Sequence, residues 1–221
     1  MERNDGVRRV LSLAPVYRGL QRVLGSHKSC RRLATDVIRS TSTSVIVDIG
    51  CGTADIVDFI EFGEYIGFDP NPSYVEEAGR RVGDRGRVAV ARVGESLLNE
   101  FLPARADIVI MMGVLHHMDD ALACRSLRLA AGLLTDGGRF VAFDPGIVAG
   151  QPAIARFLAE RDRGQHVRDV DATRTLLNQA FSQVDIDVHH DFLALPYTHI
   201  VAEATGPIVA DGTSVSDARS I

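Results

Sequence analysis

The chain has 221 residues, of which 46% are hydrophobic and 24% are charged, and this composition is enough to bury a substantial core in one large domain. The formal net charge of −5 and the scattered basic residues argue against a nucleic-acid surface, and no apolar run approaches the roughly 20 residues of a membrane span. Three widely spaced cysteines fit neither a disulfide framework nor a zinc site, and the polar start is not a signal peptide, so we expect a cytoplasmic protein.

The first part of the chain, residues 1–43, is predicted to be helical. Residues 14–38 contain two amphipathic helix candidates, and Gly25 separates them. A short polar loop then leads into the first strand. The helical pair therefore precedes the sheet in the chain.

Residues 44–69 have the pattern of a nucleotide-binding βαβ unit. A β-branched apolar run predicts a buried strand that ends at Asp48, and a glycine turn follows at residues 50–52. Thr53 is the predicted N-cap of the next helix, and a second apolar run ends at Asp69. Strand, glycine turn, helix, strand and acid in this order are typical of nucleotide binding.

Acidic side chains indicate which nucleotide this unit binds. A dinucleotide site seats a pyrophosphate on a helix N-terminus, which tolerates no carboxylate close by. Asp48 lies two residues before the first glycine, and Asp55 stands where the third glycine of G-x-G-x-x-G would be. Both would repel a pyrophosphate, whereas an acid at the strand end suits a ligand with an ammonium group. Asp69 can accept hydrogen bonds from both hydroxyls of an adenosyl ribose.

The following segments continue the alternation of helix and strand. Helices are predicted over residues 74–82 and 121–134, and strands over residues 87–92, 106–112 and 139–143. The second of these helices is predicted to end at a glycine C-cap formed by the adjacent glycines 137 and 138. This order predicts a parallel sheet.

Ionisable side chains follow the fourth and fifth strands. His116 and His117 lie in the loop that begins at Gly113, and Asp144 follows the fifth strand. Ligands bind at this edge of open α/β sheets. An imidazole can act as a general base, and we prefer His116 for this role. Asp144 could orient that imidazole or hold the imidazolium formed by proton transfer, and the alternative is that it caps the D-P-G turn. The other histidine can cap the next helix, and a structural role for both is the alternative.

The last third of the chain predicts helices over residues 152–160 and 171–180, and then a closing antiparallel strand pair at residues 184–188 and 197–204. The polar stretch at residues 161–168 fits either a substrate-facing loop or a solvated one. The histidines near the closing strands lack further ligands, so no metal site is predicted.

The motif D-I-G-C-G-T-A at residues 48–54 resembles motif I of the class I S-adenosylmethionine (SAM)-dependent methyltransferases, D-x-G-x-G-x-G, with Ala54 in place of the last glycine. The histidine loop, the L-x-x-G-G sequence before the fifth strand and the closing strand pair are also similar to that family. The resemblance covers residues 44–204. It implies an α/β fold with a Rossmann-like, mostly parallel seven-stranded sheet, helices on both faces and an antiparallel last strand. Residues 1–43 would form an N-terminal helical lid, and residues 205–221 a disordered tail.

The same resemblance implies SAM as the cofactor and S-adenosylhomocysteine as the product. It assigns the amino-acid part of SAM to Asp48 and the glycine turn, the ribose to Asp69, and the adenine to the residues that follow. The family's Gly-Asp pair after the third strand is missing here, and Glu95 or Ser96 is its candidate substitute. The implied cofactor-binding residues are Asp48, Gly50, Cys51, Gly52, Thr53, Asp69, Pro70, Asn71, Tyr74, Glu95, Ser96, Gly113 and, from the lid, Tyr17. Tyr17 is alternatively a core or interface residue, and Tyr74 a helix-surface aromatic.

The implied function is transfer of a methyl group from SAM, by SN2 displacement with general-base assistance, to a small-molecule or lipid-like acceptor. An oxygen or carbon nucleophile is favoured, and the candidate catalytic residues are His116, Asp144 and His117. One alternative is a SAM-binding fold that serves as a scaffold or a non-methylating enzyme. The other is a nicotinamide-dependent oxidoreductase, which Asp48 and Asp55 disfavour.

Overall fold

The computed structural model of the protein describes residues 26–160, 165–192 and 197–208. Tyr17, most of the predicted lid, residues 161–164 and the predicted tail from residue 209 onward lie outside the described residues. Among the described helices, none is long and apolar enough to cross a membrane.

Helices and strands alternate along the chain. The α-helices are α1 (Ser26–Arg32), α2 (Pro72–Val82), α3 (Leu97–Phe101), α4 (Asp120–Leu133), α5 (Ala153–Glu160) and α6 (Val170–Leu177). The strands are β1 (Val45–Ile49), β2 (Glu64–Asp69), β3 (Gly86–Val90), β4 (Ala106–Met112), β5 (Leu134–Pro145), β6 (Phe181–His189) and β7 (His199–Pro207). A π-helical turn (Leu33–Ile38) extends α1, and short 3₁₀ turns lie at Asp55–Asp58, Gly83–Arg85 and Leu115–His117.

The strands form a single seven-stranded sheet in the order β3-β2-β1-β4-β5-β7-β6. The first five strands are parallel, and β7 is antiparallel to both of its neighbours. The predicted fold class is therefore confirmed. The chain order reverses between β1 and β4, and this is where open α/β sheets bind their ligands.

Hydrophobic residues cover both faces of the sheet, as the apolar strand sequences predict. On one face α4 packs against the strands through Leu127 and Leu133, both fully buried. On the other face, Leu33 and Ile38 from the π-helical turn join a second cluster that includes Ile46 of β1. Burial on both sides keeps the strand ends in fixed positions.

The predicted helix after the glycine turn is wrong, because only the 3₁₀ turn Asp55–Asp58 forms there. Ala54 adopts a left-handed conformation with φ of 53°, which interrupts a helix that begins at Thr53. Thr53 is not an N-cap, and its hydroxyl instead lies 3.0 Å from an Asp55 carboxylate oxygen. The π-helical turn after α1 packs in the same cluster as this short connection and covers that face of the sheet.

The predicted glycine cap after α4 is also wrong. The helix ends at Leu133, so the adjacent glycines 137 and 138 lie inside β5. The register between β4 and β5 shifts next to Ala106. A Cβ atom on Gly138 would lie 3.0 Å from the Ala106 carbonyl oxygen. The glycine is needed because two strands approach closely there, and no helix termination is involved.

The closing strands are longer than predicted. β7 continues through Pro207, three residues beyond the predicted end at 204, and Pro207 pairs with Phe181 of β6. Phe181 is buried and stacks on Phe140 of β5 with ring centroids 5.3 Å apart. The sheet therefore includes residues 205–207, the first residues of the predicted tail.

Candidate cofactor and active site

A cavity of ≈ 970 Å³ opens where β1, β2 and β4 end. Its wall contains the glycine turn, the acid at the end of β2, the end of β3 and the loop after β4. Cavities that hold cofactors and small ligands span about 300–1,000 Å³. The space is therefore large enough for a nucleoside cofactor together with part of a second molecule.

The glycine turn is held tightly between β2 and the loop after β4. The amides of Gly50 and Cys51 both donate to the Phe68 carbonyl oxygen, at 2.8 and 3.1 Å. Gly50 has φ of 77°, and a Cβ atom there would lie 2.8 Å from Val114. Only glycine fits this position. The turn consequently presents backbone to the cavity without a side chain in between.

The Asp69 carboxylate is fixed at the end of β2 by backbone donors. It accepts hydrogen bonds from the amides of Gly52 at 3.1 Å and Asn71 at 2.8 Å. Each carboxylate oxygen retains further acceptor capacity. Asn71 caps α2 through Ser73 and does not line the cavity, whereas Pro70 does. Asp69 is thus oriented to accept donors from a ligand.

Asp48 is a buried carboxylate with one unpartnered oxygen. The residue is 3% exposed, and its Oδ2 atom accepts a hydrogen bond of 2.6 Å from the Tyr65 hydroxyl. Its Oδ1 atom is buried without a hydrogen-bond partner, and the residue lines the cavity. Burial raises the pKa of Asp48 to about 7, although the bond from Tyr65 lowers it. A buried acceptor of this kind is costly unless a ligand supplies a donor.

The end of β3 differs from the predicted adenine contact. Glu95 and Ser96 are exposed and do not line the cavity, because the chain turns there and enters α3. Arg92 and Val93 line it instead. Neither residue was predicted from the sequence, because the family's pattern has an acid after this strand and no signal at these two positions. Tyr74 of α2 and Gly113 also line the cavity.

The histidine loop, defined as residues 113–119, is anchored by Asp144 at the end of β5. The Asp144 carboxylate accepts hydrogen bonds from the amides of Leu115 at 3.4 Å and His116 at 3.1 Å. The Nδ1 atom of His116 lies 2.5 Å from Asp144 Oδ1. Both side chains are buried, and His116 is 6% exposed. The expected histidine–aspartate pair is present, and it holds the loop in place.

The structure places His117, and not the preferred His116, on the cavity wall. His116 and Asp144 border a separate, much smaller cavity of ≈ 20 Å³. The imidazole centroids of the two histidines are 4.0 Å apart. Neighbouring residues in a 3₁₀ turn point in different directions, so spacing alone could not distinguish them. Neither histidine caps α4, because Asp119 accepts from the Leu122 amide at 2.8 Å.

Several further residues on the cavity wall carried no sequence signal. Arg81 of α2 pairs with Asp55 at 2.7 Å and with Asp58, and its Nε atom donates to the Thr53 carbonyl at 3.1 Å. The Asp55 charge is therefore partly compensated. Cys30 reaches the wall from α1. The remaining apolar residues are Ile49, Ile56, Phe59, Phe68, Ala91, Met112, Val114, Met118 and Leu122.

Comparison with known proteins identifies the domain that forms this cavity. A family model described as a methyltransferase domain matches residues 47–140. This part of the chain is therefore a methyltransferase domain. No curated protein sequence matches the chain.

Solved structures share the fold of this methyltransferase domain. The pyocyanin biosynthetic protein PhzM is 19% identical with a TM-score of 0.62, over 82% of this chain and 55% of PhzM. The mitomycin 7-O-methyltransferase MmcR is 22% identical with a TM-score of 0.63, over 90% of this chain and 60% of MmcR. CalO1, a methyltransferase of calicheamicin biosynthesis with S-adenosylhomocysteine bound, is 16% identical with a TM-score of 0.60, over 86% of this chain and 56% of CalO1. The chain thus spans little more than half of these proteins.

The cavity wall fits SAM, the cofactor that the motif resemblance implies. The unpartnered oxygen of Asp48 matches the ammonium group, since a cation is the ligand that stabilises a buried carboxylate. Asp69 has acceptor capacity for ribose hydroxyls, and the side-chain-free backbone at Gly52 leaves room for a ligand.

Proposed function

We propose that the protein transfers a methyl group from SAM to an oxygen or carbon nucleophile of a small, largely apolar acceptor. The observation that carries this proposal is that one cavity contains the two carboxylates suited to SAM, Asp48 and Asp69, and also an imidazole, His117. A site built only to bind the cofactor has no need of an ionisable group in the remaining space.

The chain's residues divide the work between binding and proton removal. When bound, SAM supplies an electrophilic methyl group on a good leaving group, so alignment is the main requirement on the protein. Asp48 would bind the ammonium group, and Asp69 the ribose. The glycine turn at Gly52 would lie against the cofactor.

The histidine loop would supply the base. His117, on the cavity wall, would accept the proton of an acceptor hydroxyl or acidic carbon at its imidazole. His116 and Asp144 would act indirectly, because the His116 imidazole and the Asp144 carboxylate fix the loop that carries His117. In this assignment Asp144 sets geometry and does not take part in the proton transfer.

The apolar wall around His117 supports an acceptor with a hydrophobic body. Met112, Val114, Met118 and Leu122, which precede or follow His117 closely in the chain, line the same cavity. An anionic acceptor would meet the Asp48 and Asp69 carboxylates nearby, at a cost in electrostatic energy. A neutral, lipid-like or aromatic alcohol fits this wall better.

Binding and transfer measurements test the proposal in sequence. Calorimetry should show S-adenosylhomocysteine binding and no binding of a nicotinamide dinucleotide. Asp69→Asn should weaken that binding by about tenfold or more, because hydrogen bonds to charged groups contribute roughly 1.5–3 kcal/mol. The matched control Glu95→Gln, an exposed acid outside the cavity, should leave it unchanged.

Methyl transfer is then assayed with labelled SAM against a panel of apolar alcohols and carbon acids, with product mass as the readout. Transfer that depends on His117 supports the proposal. Cofactor binding without transfer to any acceptor would instead indicate a scaffold or a non-methylating enzyme. Nicotinamide binding would contradict the cofactor assignment altogether.

A further inference from the structure

Residues 165–168, which follow α5, bind the histidine loop through its carbonyl groups. The His166 amide donates to the His116 carbonyl at 3.0 Å. The Arg168 guanidinium donates to the Leu115 carbonyl from Nη1 and to the Met118 carbonyl from Nη2, both at 2.8 Å. Three of the loop's carbonyl groups are therefore held by one short segment.

Arg168 is itself held in place by its surroundings. Its Nε and Nη2 atoms lie 3.1 and 2.7 Å from the same Asp120 carboxylate oxygen. Its carbonyl accepts from the Ile147 amide at 3.2 Å, and its backbone pairs with Gly146 just beyond β5. The side chain is 11% exposed. A planar guanidinium can reach these acceptors together, which a lysine ammonium cannot do.

Arg168 and Asp144 bind opposite kinds of backbone group in the histidine loop. Asp144 binds the amides of Leu115 and His116, while Arg168 binds the carbonyls of Leu115 and Met118. His117 lies between these anchors. Because backbone groups on both sides of it are fixed, the direction in which its Cα–Cβ bond leaves the backbone is fixed as well.

We infer that Arg168 is a positioning residue that fixes the histidine loop in the orientation that turns His117 toward the cavity and His116 away from it. This inference rests on the function proposed above. Arg168 does not line the cofactor cavity, so it acts through the loop. The polar stretch at residues 161–168, read from the sequence as substrate-facing or solvated, thus includes a residue that supports the site from outside.

The test compares Arg168→Met with a matched control, Arg105→Met. Arg105 also donates from Nη1 to one backbone carbonyl at 2.8 Å, that of Leu134, but it lies at the opposite end of β4. Histidine modification by diethyl pyrocarbonate, mapped by mass, and histidine ring NMR signals report the loop without any acceptor. Arg168→Met should increase His116 modification by about fivefold, the change expected when a hydrogen bond that limits opening is lost. It should also shift the ring signals of both histidines.

Arg105→Met should leave both readouts unchanged even where it lowers thermal stability, and Arg168→Lys should give an intermediate effect. Asp120→Asn, which removes the negative charge of one exposed partner of Arg168 while keeping an acceptor oxygen, should act in the same direction more weakly and serves if Arg168→Met does not fold. Wild-type histidine signals in folded Arg168→Met, or in Asp120→Asn when it alone folds, would overturn the inference. S-adenosylhomocysteine affinity should stay within about twofold of wild type in all variants, because the cofactor carboxylates are untouched. If the wild-type protein does not bind S-adenosylhomocysteine, the proposed function is rejected. The histidine modification and NMR measurements still test the role of Arg168 in that case.

Discussion

At the scale of single residues, the fold changes the chemistry of Asp48 strongly. Its burial raises the pKa of the carboxyl from 3.8 to about 7. The folded protein consequently binds this proton more tightly than the unfolded chain does. The contribution of Asp48 to stability is therefore greatest below about pH 4 and is lost as the pH rises toward 7. A bound ammonium group would favour the charged carboxylate and compensate for this loss.

Affinity for S-adenosylhomocysteine should increase as the pH rises from 6 to 7.5, while the ligand's α-amino group is still largely charged. Tyr65→Phe should raise the pKa of Asp48 further, because the hydroxyl that stabilises the carboxylate is lost. At pH 7 the variant should bind more weakly than wild type, and the difference should shrink at higher pH. Calorimetry at several pH values measures both effects. A pH-independent affinity gap between the two proteins would contradict this account of Asp48.

The two histidines should give different phenotypes on substitution. His117→Ala should lower methyl transfer by about 100-fold, the lower end of general-base contributions, without changing cofactor affinity. His116→Ala should lower the free energy of unfolding by about 1–3 kcal/mol, because it leaves the buried Asp144 carboxylate without its ring partner. Transfer assays and denaturant titrations separate these outcomes. Normal transfer in His117→Ala would remove it from the proposed mechanism.

At the scale of elements, the glycine turn shows why two glycines in one motif are not equivalent. Both have positive φ, 77° at Gly50 and 53° at Gly52. A Cβ atom on Gly50 would meet Val114 at 2.8 Å, whereas one on Gly52 would meet no atom within 4 Å. Within the protein itself, the first glycine is needed for packing against the loop after β4, whereas the second meets only a requirement of backbone conformation.

Gly52→Ala should therefore cost about 1 kcal/mol of unfolding free energy, the cost of a left-handed backbone at a non-glycine residue. Gly50→Ala should cost clearly more, about 2–4 kcal/mol, since strain and overpacking add. Denaturant unfolding monitored by circular dichroism measures both. Equal losses would show that Val114 moves aside at little cost.

Segments with strong local patterns were predictable, and those decided by tertiary contacts were not. β4 forms over the predicted residues 106–112, and α4 begins within one residue of its predicted start. The helix predicted after Thr53 is wrong because the left-handed conformation of Ala54 depends on its surroundings. The helix cap predicted at glycines 137 and 138 is wrong because, in the sequence alone, a glycine required by a neighbouring strand cannot be distinguished from a helix cap. The motif carboxylates reached the cavity, whereas Glu95 and His116 did not, since side-chain direction is not encoded in spacing.

At the scale of the whole molecule, α1 contributes both to the sheet cover and to the cavity wall. Cys30 lines the cavity together with the glycine turn. Burial and the nearby Asp55 carboxylate raise the pKa of Cys30 to about 11, with burial the larger effect. Its thiol is therefore a slow but site-specific reporter of cavity occupancy.

S-adenosylhomocysteine should protect Cys30 from alkylation, because the ligand fills the space that the thiol faces. Cys124 lies in α4 outside the cavity, 3.1 Å from a Gln179 side-chain oxygen, and should react at the same rate with or without ligand. Alkylation at about pH 8.5, mapped by mass, provides the comparison. Loss of protection at Cys30 would place the cofactor away from α1.

The short connection between β1 and β2 affects the stage of synthesis at which the cofactor pocket becomes complete. Because no α-helix forms there, α1 and its π-helical turn cover that face, and this region is tied to the far end of the chain. Arg39 pairs with Glu203 of β7, and the Ser29 hydroxyl donates to the Phe192 carbonyl. The ribosome makes β7 after all the other described elements, and therefore long after α1. We therefore expect the nascent chain to acquire its complete cofactor pocket only after β7 has left the exit tunnel, so that the cofactor loads after β7 has been made.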